Sequence, residues 1–289
     1  MNIIAETELI LTPENRIYHL NLCKDDIAND IILVGDPERV TAISRKFDNI
    51  ECKIEHREFI THTGSYNNKR ITVISTGIGP DNIDIVINEL DALANIDFKK
   101  RIVNSKRKSL NIIRLGTSGA LQADIEIDKF VTSSFALGLD NLAHFYDTKN
   151  LILEDISKKY LTHTNWPKEL SRPYVVKASE KLISLFEDLE TGITATAPGF
   201  YGPQGRVLRL DTSMPDLHKN MESFRYKKYR IINFEMETSA LYLLGRLLGH
   251  KTLTICAIIG NRVSKKYSKK MKDTIDNMIQ LTLDRLTAN

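Results

Sequence analysis

Residues 31–39 read Ile-Ile-Leu-Val-Gly-Asp-Pro-Glu-Arg, and this stretch decides the fold class. An unbroken apolar run is typical of a strand that is buried on both faces of a largely parallel sheet. Gly35 ends the run, and Pro37 suits the first position of a helix because its missing N–H is not needed there. A strand that leads directly into a helix predicts an α/β protein.

Similar short apolar runs recur along the chain, and we expect each of them to form a strand. They are Ile71–Ile74, Ile112–Leu115, Phe130–Val131, Tyr174–Val176, Ile193–Thr196 and Leu253–Ile259. Apolar residues at helical spacing predict helices at Asp81–Asn95, Phe234–Leu248 and Lys265–Leu286, the last of them basic. Asp81 is the predicted N-cap of the first helix, and Gly249 is the predicted C-cap of the second.

A chain of 289 residues fits one large α/β domain, and we expect residues 1–289 to form it. Two polar stretches, 98–109 and 147–168, are predicted to be surface insertions. The first holds six basic residues, which favour a solvated turn over a phosphate or nucleic-acid contact. The second holds the single tryptophan and predicts a loop or a short helix.

Charge and cysteine content narrow the function classes. The 40 basic and 37 acidic residues leave a net charge of only +3, which does not favour a nucleic-acid partner. An RNA-binding protein is an alternative that rests only on 98–109 and the C-terminal lysines. The three cysteines have no metal spacing, and neither a signal pattern nor a membrane-length apolar run is present. We therefore expect a cytoplasmic protein with no membrane and no nucleic-acid partner.

Two glycine-rich segments follow predicted strands. A helix N-terminus after Gly35 with Arg39 in its first turn can bind an anion, although a plain turn with a solvated Arg39 fits as well. The segment Ser75–Gly79 is neither a dinucleotide fingerprint nor a phosphate loop. We therefore expect no nucleotide or other organic cofactor.

Arg114 lies within a predicted buried strand, and a buried arginine requires a partner. One interpretation is a salt bridge to a carboxylate in the core. The other is a bound dianion held by Arg114, the Thr117 hydroxyl and backbone amides, because the guanidinium fork matches phosphate. The residues alone leave both interpretations open.

Five motifs in this order resemble the nucleoside phosphorylase-I family. They are Gly35-Asp36-Pro37-Glu38-Arg39, His56-Arg57-Glu58-Phe59, Ser75-Thr76-Gly77-Ile78-Gly79, Arg114-Leu115-Gly116-Thr117-Ser118-Gly119 and Asn233-Phe234-Glu235-Met236-Glu237. The resemblance spans roughly Tyr18 to Arg262 and implies the family's single-domain fold, a central mixed β-sheet flanked by helices. It also implies a pentosyltransferase that cleaves nucleosides with inorganic phosphate as co-substrate.

The resemblance implies a phosphate site made of Gly35, Arg39, Arg114 and Thr117, with Arg57 supplied by a neighbouring subunit. The resulting partner prediction is a homo-oligomer with active sites shared across a dimer interface. Whether the assembly is a dimer or a hexamer stays open.

The resemblance also implies a ribose site. Met236 and Glu237 would bind the sugar together with Thr117, and His19 would reach the 5′-hydroxyl across the subunit interface. A carboxylate suits this position because it accepts hydrogen bonds from two hydroxyls. Glu58 resembles a residue of a monovalent-cation site, with K⁺ as the expected ion.

The segment Thr194–Arg206 resembles the base-binding part of the family members that cleave uridine. Gln204 and Arg206 are two apart, so they can project together from an extended segment. The glutamine oxygen can accept from uracil N3–H, while its amide and Arg206 can donate to the uracil oxygens. Phe200 would pack on the base or ribose, and Arg262 would close the pocket.

The loop after the last predicted strand distinguishes between bases. Purine-cleaving relatives place an aspartate there, whereas this chain reads Ile-Ile-Gly-Asn-Arg over 258–262. The expected reaction is therefore reversible phosphorolysis of uridine, and of deoxyuridine or thymidine as further substrates, in pyrimidine salvage. Arg206, Gln204 and Arg114 would be its catalytic residues. A purine nucleoside phosphorylase, a nucleosidase of the same family and a catalytically silent nucleoside-binding protein are the alternatives.

Overall fold

The structure is a computed structural model that describes residues 2–148 and 150–288. Its strands are β1 (Asp30–Val34), β2 (Asn49–His56), β3 (Phe59–Tyr66), β4 (Lys69–Ser75), β5 (Ile96–Asp97), β6 (Ile102–Val103), β7 (Asn111–Ala120), β8 (Phe130–Gly138), β9 (Tyr174–Lys177), β10 (Glu190–Thr196), β11 (Arg225–Tyr226), β12 (Tyr229–Glu235), β13 (Lys251–Asn261) and β14 (Lys266–Tyr267). Its helices are α1 (Pro37–Ser44), α2 (Pro80–Asn95), α3 (Glu154–Thr164), α4 (Glu180–Ile183), α5 (Leu217–Ser223), α6 (Thr238–Leu247) and α7 (Met271–Thr287).

A mixed sheet forms the centre of the domain, in the order β11-β12-β10-β8-β13-β7-β1-β4-β3-β2. Strand β7 is parallel to both β1 and β13, whereas β8 runs antiparallel to β13. Strand β12 pairs with β10 and, at its far end, also with β7. The strands β7, β13, β8, β10 and β12 therefore form a closed ring.

Buried polar side chains connect the strands of this ring. The Thr194 hydroxyl on β10 contacts Ser133 on β8 and donates to Asn233 Oδ1 on β12 at 2.7 Å. The Asn233 amide then donates to the Ser118 hydroxyl on β7 at 2.9 Å. Because buried polar groups are costly unless they are paired, this chain of contacts favours a single register for four of the five strands.

Helices cover the sheet and supply its main hydrophobic core. Helix α6 is buried over most of its residues, and it packs against α2 and against β8 and β13. The five residues of β1 are all buried. A second apolar cluster joins α3 and α5 to β10 and β12. The predicted α/β fold with a central mixed sheet is confirmed, as are all seven predicted strands.

The predicted helix Phe234–Leu248 began too early. Phe234 and its neighbour belong to β12, because Phe234 pairs with Ala195 on β10 and with Gly119 on β7. Helix α6 begins only at Thr238. The C-cap is Leu248, and Gly249 follows it with a φ of 81°, which a glycine adopts without strain.

The two other predicted helices also differ at their first residues. The C-terminal helix begins at Met271 rather than Lys265, because Lys266 and Tyr267 pair with β13. Asp81 is not the N-cap of α2: Pro80 is the first helical residue, and Gly79 takes the cap position.

The structure also contains strand residues that were not predicted. The predicted strand Ile112–Leu115 is longer in the structure, where β7 continues through 116–119 to Ala120 because β13 and β12 both pair with it. Strands β2 and β3 had not been predicted. Strand β2 is nowhere fully buried and lies at the sheet edge, so it lacks the apolar run that marks the central strands.

The two polar stretches differ in their structure, and their status as insertions stays a prediction. In 98–109 the lysines are mostly exposed, whereas Arg101 donates to the backbone oxygens of Ile4, Ala5 and Leu9. This arginine fastens the N-terminal segment to the domain. In 147–168, of which residue 149 lies outside the described residues, α3 forms and Trp166 packs on Tyr160.

No helix among the described residues has both the length and the apolar character needed to cross a bilayer.

Candidate active site

A buried ion cluster lies where β7 meets the end of β12. Arg114 comes from β7, and its Nη2 donates to a carboxylate oxygen of Glu237, just beyond β12. Its Nη1 lies 3.5 Å from Oε2 of Glu235. All three side chains are at most 5% exposed. The salt-bridge interpretation of Arg114 is thus correct, with two carboxylates rather than one.

The two carboxylates stabilise the charge of Arg114. Burial by itself lowers the pKa of Arg114, but Glu237 and Glu235 outweigh it and the net shift is upward. Burial raises the pKa of Glu235 to about 7, opposed by Arg114 and assisted by the like charge of Glu237. The guanidinium therefore stays charged in a site from which water is excluded.

Hydrogen-bond donors from the backbone and from one hydroxyl hold the two glutamates in place. Glu235 accepts from the hydroxyl of Thr196 at 2.7 Å and from the N–H of Thr238, in the first turn of α6. Glu237 accepts from the N–H of Gly79 at 3.0 Å. The predicted glycine-rich segment after β4 therefore reaches the same cluster.

A second arginine approaches from α1. Asp36 caps this helix by accepting from the N–H of Glu38, and Arg39 follows in its first turn. Arg39 Nη1 donates to the carbonyl of Leu115 on β7 at 3.1 Å. Burial lowers the pKa of Arg39, and Arg114 lowers it further. Two guanidinium groups that repel each other in a buried place favour an anion between them.

Two glycines, Gly116 on β7 and Gly35 before α1, lie at points of close approach in this site. A Cβ on Gly116 would lie 2.1 Å from Arg114 Nη1, so only glycine accommodates the guanidinium there. Thr117, three positions beyond Arg114, is half-buried. Gly35 lies close to Gly77, whose carbonyl would be 3.3 Å from an added Cβ. Within the described residues, Nε and Nη1 of Arg114 have no hydrogen-bond partner.

The predicted residues His19, Arg57 and Glu58 form a separate group. His19 Nδ1 lies 2.6 Å from Oε1 of Glu89 on α2, and the His19 N–H donates to the same oxygen. Arg57 and Glu58 are exposed in the turn between β2 and β3, and the Arg57 guanidinium lies 5.1 Å from the ring of Tyr18. Among the described residues, no hydrogen bond or ion pair joins this group to Arg114.

The base-binding segment brings its predicted residues together. Gln204 is buried, and its Oε1 accepts from Arg206 at 2.5 Å. The Arg206 guanidinium lies 3.7 Å from the ring centre of Phe200. Arg262 donates to the backbone carbonyl of Gln204 at 3.3 Å. The segment is not extended as predicted: 202–204 form a 3₁₀ turn, which still places both side chains on one side.

Positive charge accumulates around this segment. Burial and the nearby Arg262 lower the pKa of Arg206 to about 10. Burial also lowers the pKa of Arg262. Such a site stabilises a partner on which negative charge develops.

Three residues of the site were not predicted from the sequence. Glu235 stands in the quoted Asn233–Glu237 motif, but it fell within the predicted helix rather than at the end of a buried strand, where the structure places it. Glu89 orients His19, and His218 contacts the Gln204 carbonyl at 2.6 Å. Neither lies in a motif, because each acts through a contact between distant parts of the chain.

Replacing Arg114 with alanine should destabilise the fold, because it leaves two buried carboxylates unpaired. We expect a loss of about 3–5 kcal/mol in the free energy of unfolding. Without Arg114 the pKa of Glu235, which burial already raises, rises further, so the folded state of the variant gains a proton as the pH falls. The deficit relative to wild type should therefore be smaller near about pH 5.5 than near about pH 8.

Denaturant melts of the variant and of wild type at both pH values measure these deficits. Arg172→Ala is the matched control, because the Arg172–Glu154 pair is exposed and should contribute about 1 kcal/mol or less. An Arg114→Ala deficit that does not change with pH would contradict the assigned pairing.

Comparisons with known proteins agree with this architecture. A sequence model described as the phosphorylase superfamily matches residues 30–287. The uridine phosphorylase of Thermococcus kodakarensis is 33% identical over 258 residues, covering 89% of this chain and 82% of the relative. A DeoD-type purine nucleoside phosphorylase of Alkaliphilus metalliredigens is 28% identical over 270 residues, covering 92% and 97%.

A solved structure extends the similarity to three dimensions. It is a Trypanosoma brucei nucleoside phosphorylase described as showing uridine phosphorylase activity. It aligns with a TM-score of 0.88 at 28% identity and covers 97% of this chain and 100% of its own. The match over nearly the whole chain, in sequence and in fold, shows that the chain belongs to the phosphorylase superfamily.

Proposed function

We propose that the protein is a uridine phosphorylase that converts uridine and phosphate to uracil and ribose 1-phosphate. The observation that carries the choice of base is the contact between Gln204 and Arg206 beside Phe200. Relatives that are named uridine phosphorylases, from Thermococcus kodakarensis and from Haemophilus influenzae, support it.

Phosphate would bind between the two convergent arginines. Arg39 offers donors, as does Nε of Arg114, which has no hydrogen-bond partner among the described residues, and the Thr117 hydroxyl lies on the same strand as Arg114. Gly35 would bring its backbone N–H to the anion. Arg57 of a neighbouring subunit would complete the set.

The ribose would lie above the phosphate, next to Glu237 and Met236. Glu237 would accept from the 2′- and 3′-hydroxyls, because Gly79 and Arg114 hold its carboxylate in place. His19 of a neighbouring subunit would contact the 5′-hydroxyl. With Nδ1 donating to Glu89, the other ring nitrogen of His19 is left to accept from that hydroxyl.

In the reaction, a phosphate oxygen attacks C1′ of the sugar while the bond from C1′ to N1 of the base breaks. The bonding electrons move into the uracil ring and its oxygens, and the proton of HPO₄²⁻ ends on the base. Arg206 and the Gln204 amide would stabilise the charge on the uracil oxygens, and the Gln204 oxygen would accept from N3–H. The step needs inorganic phosphate and no organic cofactor.

The purine alternative rests on the DeoD-type relatives, and one observation speaks against it. Asn261, predicted to lie in a loop, is the last residue of β13, and its amide donates to the carbonyls of Gln122 and Ile125. Its side chain is therefore engaged within the protein, and it carries no acidic proton for a purine nitrogen. The phosphate donors likewise favour a phosphorylase over a nucleosidase or a silent binding protein.

Two finer proposals concern location and ions. The free state of all three cysteines suits a reducing compartment, so we place the protein in the cytoplasm. Glu58 is exposed beside Gly77, and we propose it as the ligand of a monovalent cation such as K⁺.

One assay tests the reaction and the substrate class. Uridine, thymidine and inosine are each incubated with the protein, with and without phosphate, and the change in ultraviolet absorbance is followed. We expect loss of uridine only with phosphate. Cleavage of inosine in preference to uridine, or cleavage without phosphate, would contradict the proposal.

Arg206→Ala should lower kcat/KM for uridine because the developing charge on uracil loses its main donor. The expected loss is about 3–4 kcal/mol, or roughly a hundred- to a thousandfold. Arg209→Ala is the matched control, since Arg209 is exposed in the same segment. Activity of Arg206→Ala within a few-fold of the control would remove Arg206 from the base site.

Sites shared between subunits predict complementation in a homo-oligomer. Arg57→Ala and Arg206→Ala should each be nearly inactive, because one change damages the phosphate site and the other the base site. After the two are unfolded and refolded together, mixed oligomers contain some sites with neither change. We expect activity that exceeds the sum of the separately refolded variants. Activity equal to that sum would show that Arg57 serves its own subunit or none.

A further inference from the structure

We propose that His218 is a positioning residue that fixes the base-binding pair Gln204 and Arg206 through the Gln204 backbone carbonyl. The inference rests on the proposed function, because that function gives Gln204 and Arg206 their role. It adds a residue that no sequence motif marks.

The contact itself is short and has one possible polarity. His218 Nε2 lies 2.6 Å from the Gln204 carbonyl oxygen. A carbonyl oxygen only accepts, so Nε2 must carry the hydrogen. Arg262 donates to the same oxygen at 3.3 Å. The Gln204 carbonyl is thus held from two sides by residues of other elements.

This carbonyl belongs to the peptide in the middle of the turn, which joins Gln204 to Gly205. The N–H groups of Gln204 and Arg206 both donate to the Tyr201 carbonyl, so the start and the end of the turn are fixed. The Gly205 N–H donates to the Gly202 carbonyl at 2.8 Å, so the peptide between them is held at its N–H as well as at its oxygen. Because Gly205, with a φ of 61°, accepts either sign of φ at little cost, loss of the contacts to the oxygen leaves only the N–H hydrogen bond to oppose rotation of this peptide. Such a rotation would displace the Arg206 side chain from that of Gln204.

Helix α5 gives His218 a rigid base. Its neighbour Leu217 and, one turn on, Met221 are buried in the apolar cluster with β10 and β12. The ring also packs directly on the turn, since a Cβ on Gly205 would lie 3.1 Å from Nε2. The donor therefore has little freedom to follow a moving carbonyl.

The charge state of His218 suits this role. Burial lowers the pKa of His218, and the nearby Arg262 and Arg206 lower it further. The ring is thus neutral at neutral pH. A neutral donor holds the carbonyl without adding a further positive charge beside two arginines.

The test compares His218→Phe, which keeps a ring but removes the donor, with His218→Gln, whose amide can still donate. Steady-state kinetics give KM for uridine and KM for phosphate separately. A misplacement of about 1 Å in a binding site can cost about 100-fold. We expect His218→Phe to raise the uridine KM by about 10- to 100-fold and to leave the phosphate KM within about twofold. We expect His218→Gln to recover most of the loss.

His163→Phe is the matched control. His163 Nε2 also contacts a backbone carbonyl, that of Asn220, at 3.1 Å, but on the side of α5 that faces α3. We expect it to leave the uridine KM unchanged. The inference is overturned if His218→Phe behaves like wild type, if both KM values rise together, or if His218→Gln is no better than His218→Phe.

A structural measurement separates this inference from the proposed function. Crystal structures of wild type and His218→Phe without substrate show whether the Gln204 carbonyl changes direction. An unmoved carbonyl overturns the positioning role, whatever nucleoside the enzyme cleaves. If the carbonyl rotates while the wild-type protein fails to cleave uridine with phosphate, the proposed function fails and the positioning role stands.

Discussion

The charge of Arg114, buried in the middle of the sheet, is the constraint on which the rest of the site depends. An unpaired charge there would cost several kcal/mol, so the fold must bring carboxylates to it. Glu235 and Glu237 reach it because β12 pairs with β10 on one side and, at Asn233 and Phe234, with β7 on the other. That pairing closes the ring of strands and also brings Glu237, which we propose as the ribose ligand, beside Arg114, which we propose as a phosphate ligand. Stability and function therefore require the same strand contact.

The groups proposed for phosphate and ribose and the groups proposed for the base lie in two different kinds of structure. Of the groups proposed for phosphate and ribose, Gly35, Arg114, Thr117, Met236 and Glu237 lie on strands or directly after them, where the sheet fixes their spacing. The groups proposed for the base lie in the segment between β10 and α5, whose only regular piece is a short 3₁₀ turn. Such a segment can change without disturbing the sheet, which fits the presence of both uridine and purine phosphorylases among the relatives. Because the sheet does not hold this turn, other residues must hold it, and we infer that Arg262 and His218 do so through the Gln204 carbonyl.

The central strands could be predicted from the sequence because burial on both faces produces apolar runs such as Ile31–Val34. Edge strand β2 could not, because it is only half-buried. The family resemblance also implied that Arg39, Arg114 and Glu237 belong to one site. The salt bridge of Arg114 could not be predicted from the residues alone, since its partner Glu237 lies 123 residues away. The roles of Asn233 and Glu89 were likewise unreadable, because each is defined by a contact across the fold.

The place of β13 in the ring has a consequence for synthesis of the chain. This strand lies between β7 and β8, yet both of those strands precede it by more than a hundred residues. A ribosome-bound chain that has not yet released residues 251–261 has an unfilled gap at the centre of its sheet. The exposed edges of β7 and β8 are then open to wrong partners, as unpaired strand edges generally are. We therefore expect the early-made half of the protein to depend on rapid emergence of its late strands, or on a chaperone, to avoid aggregation.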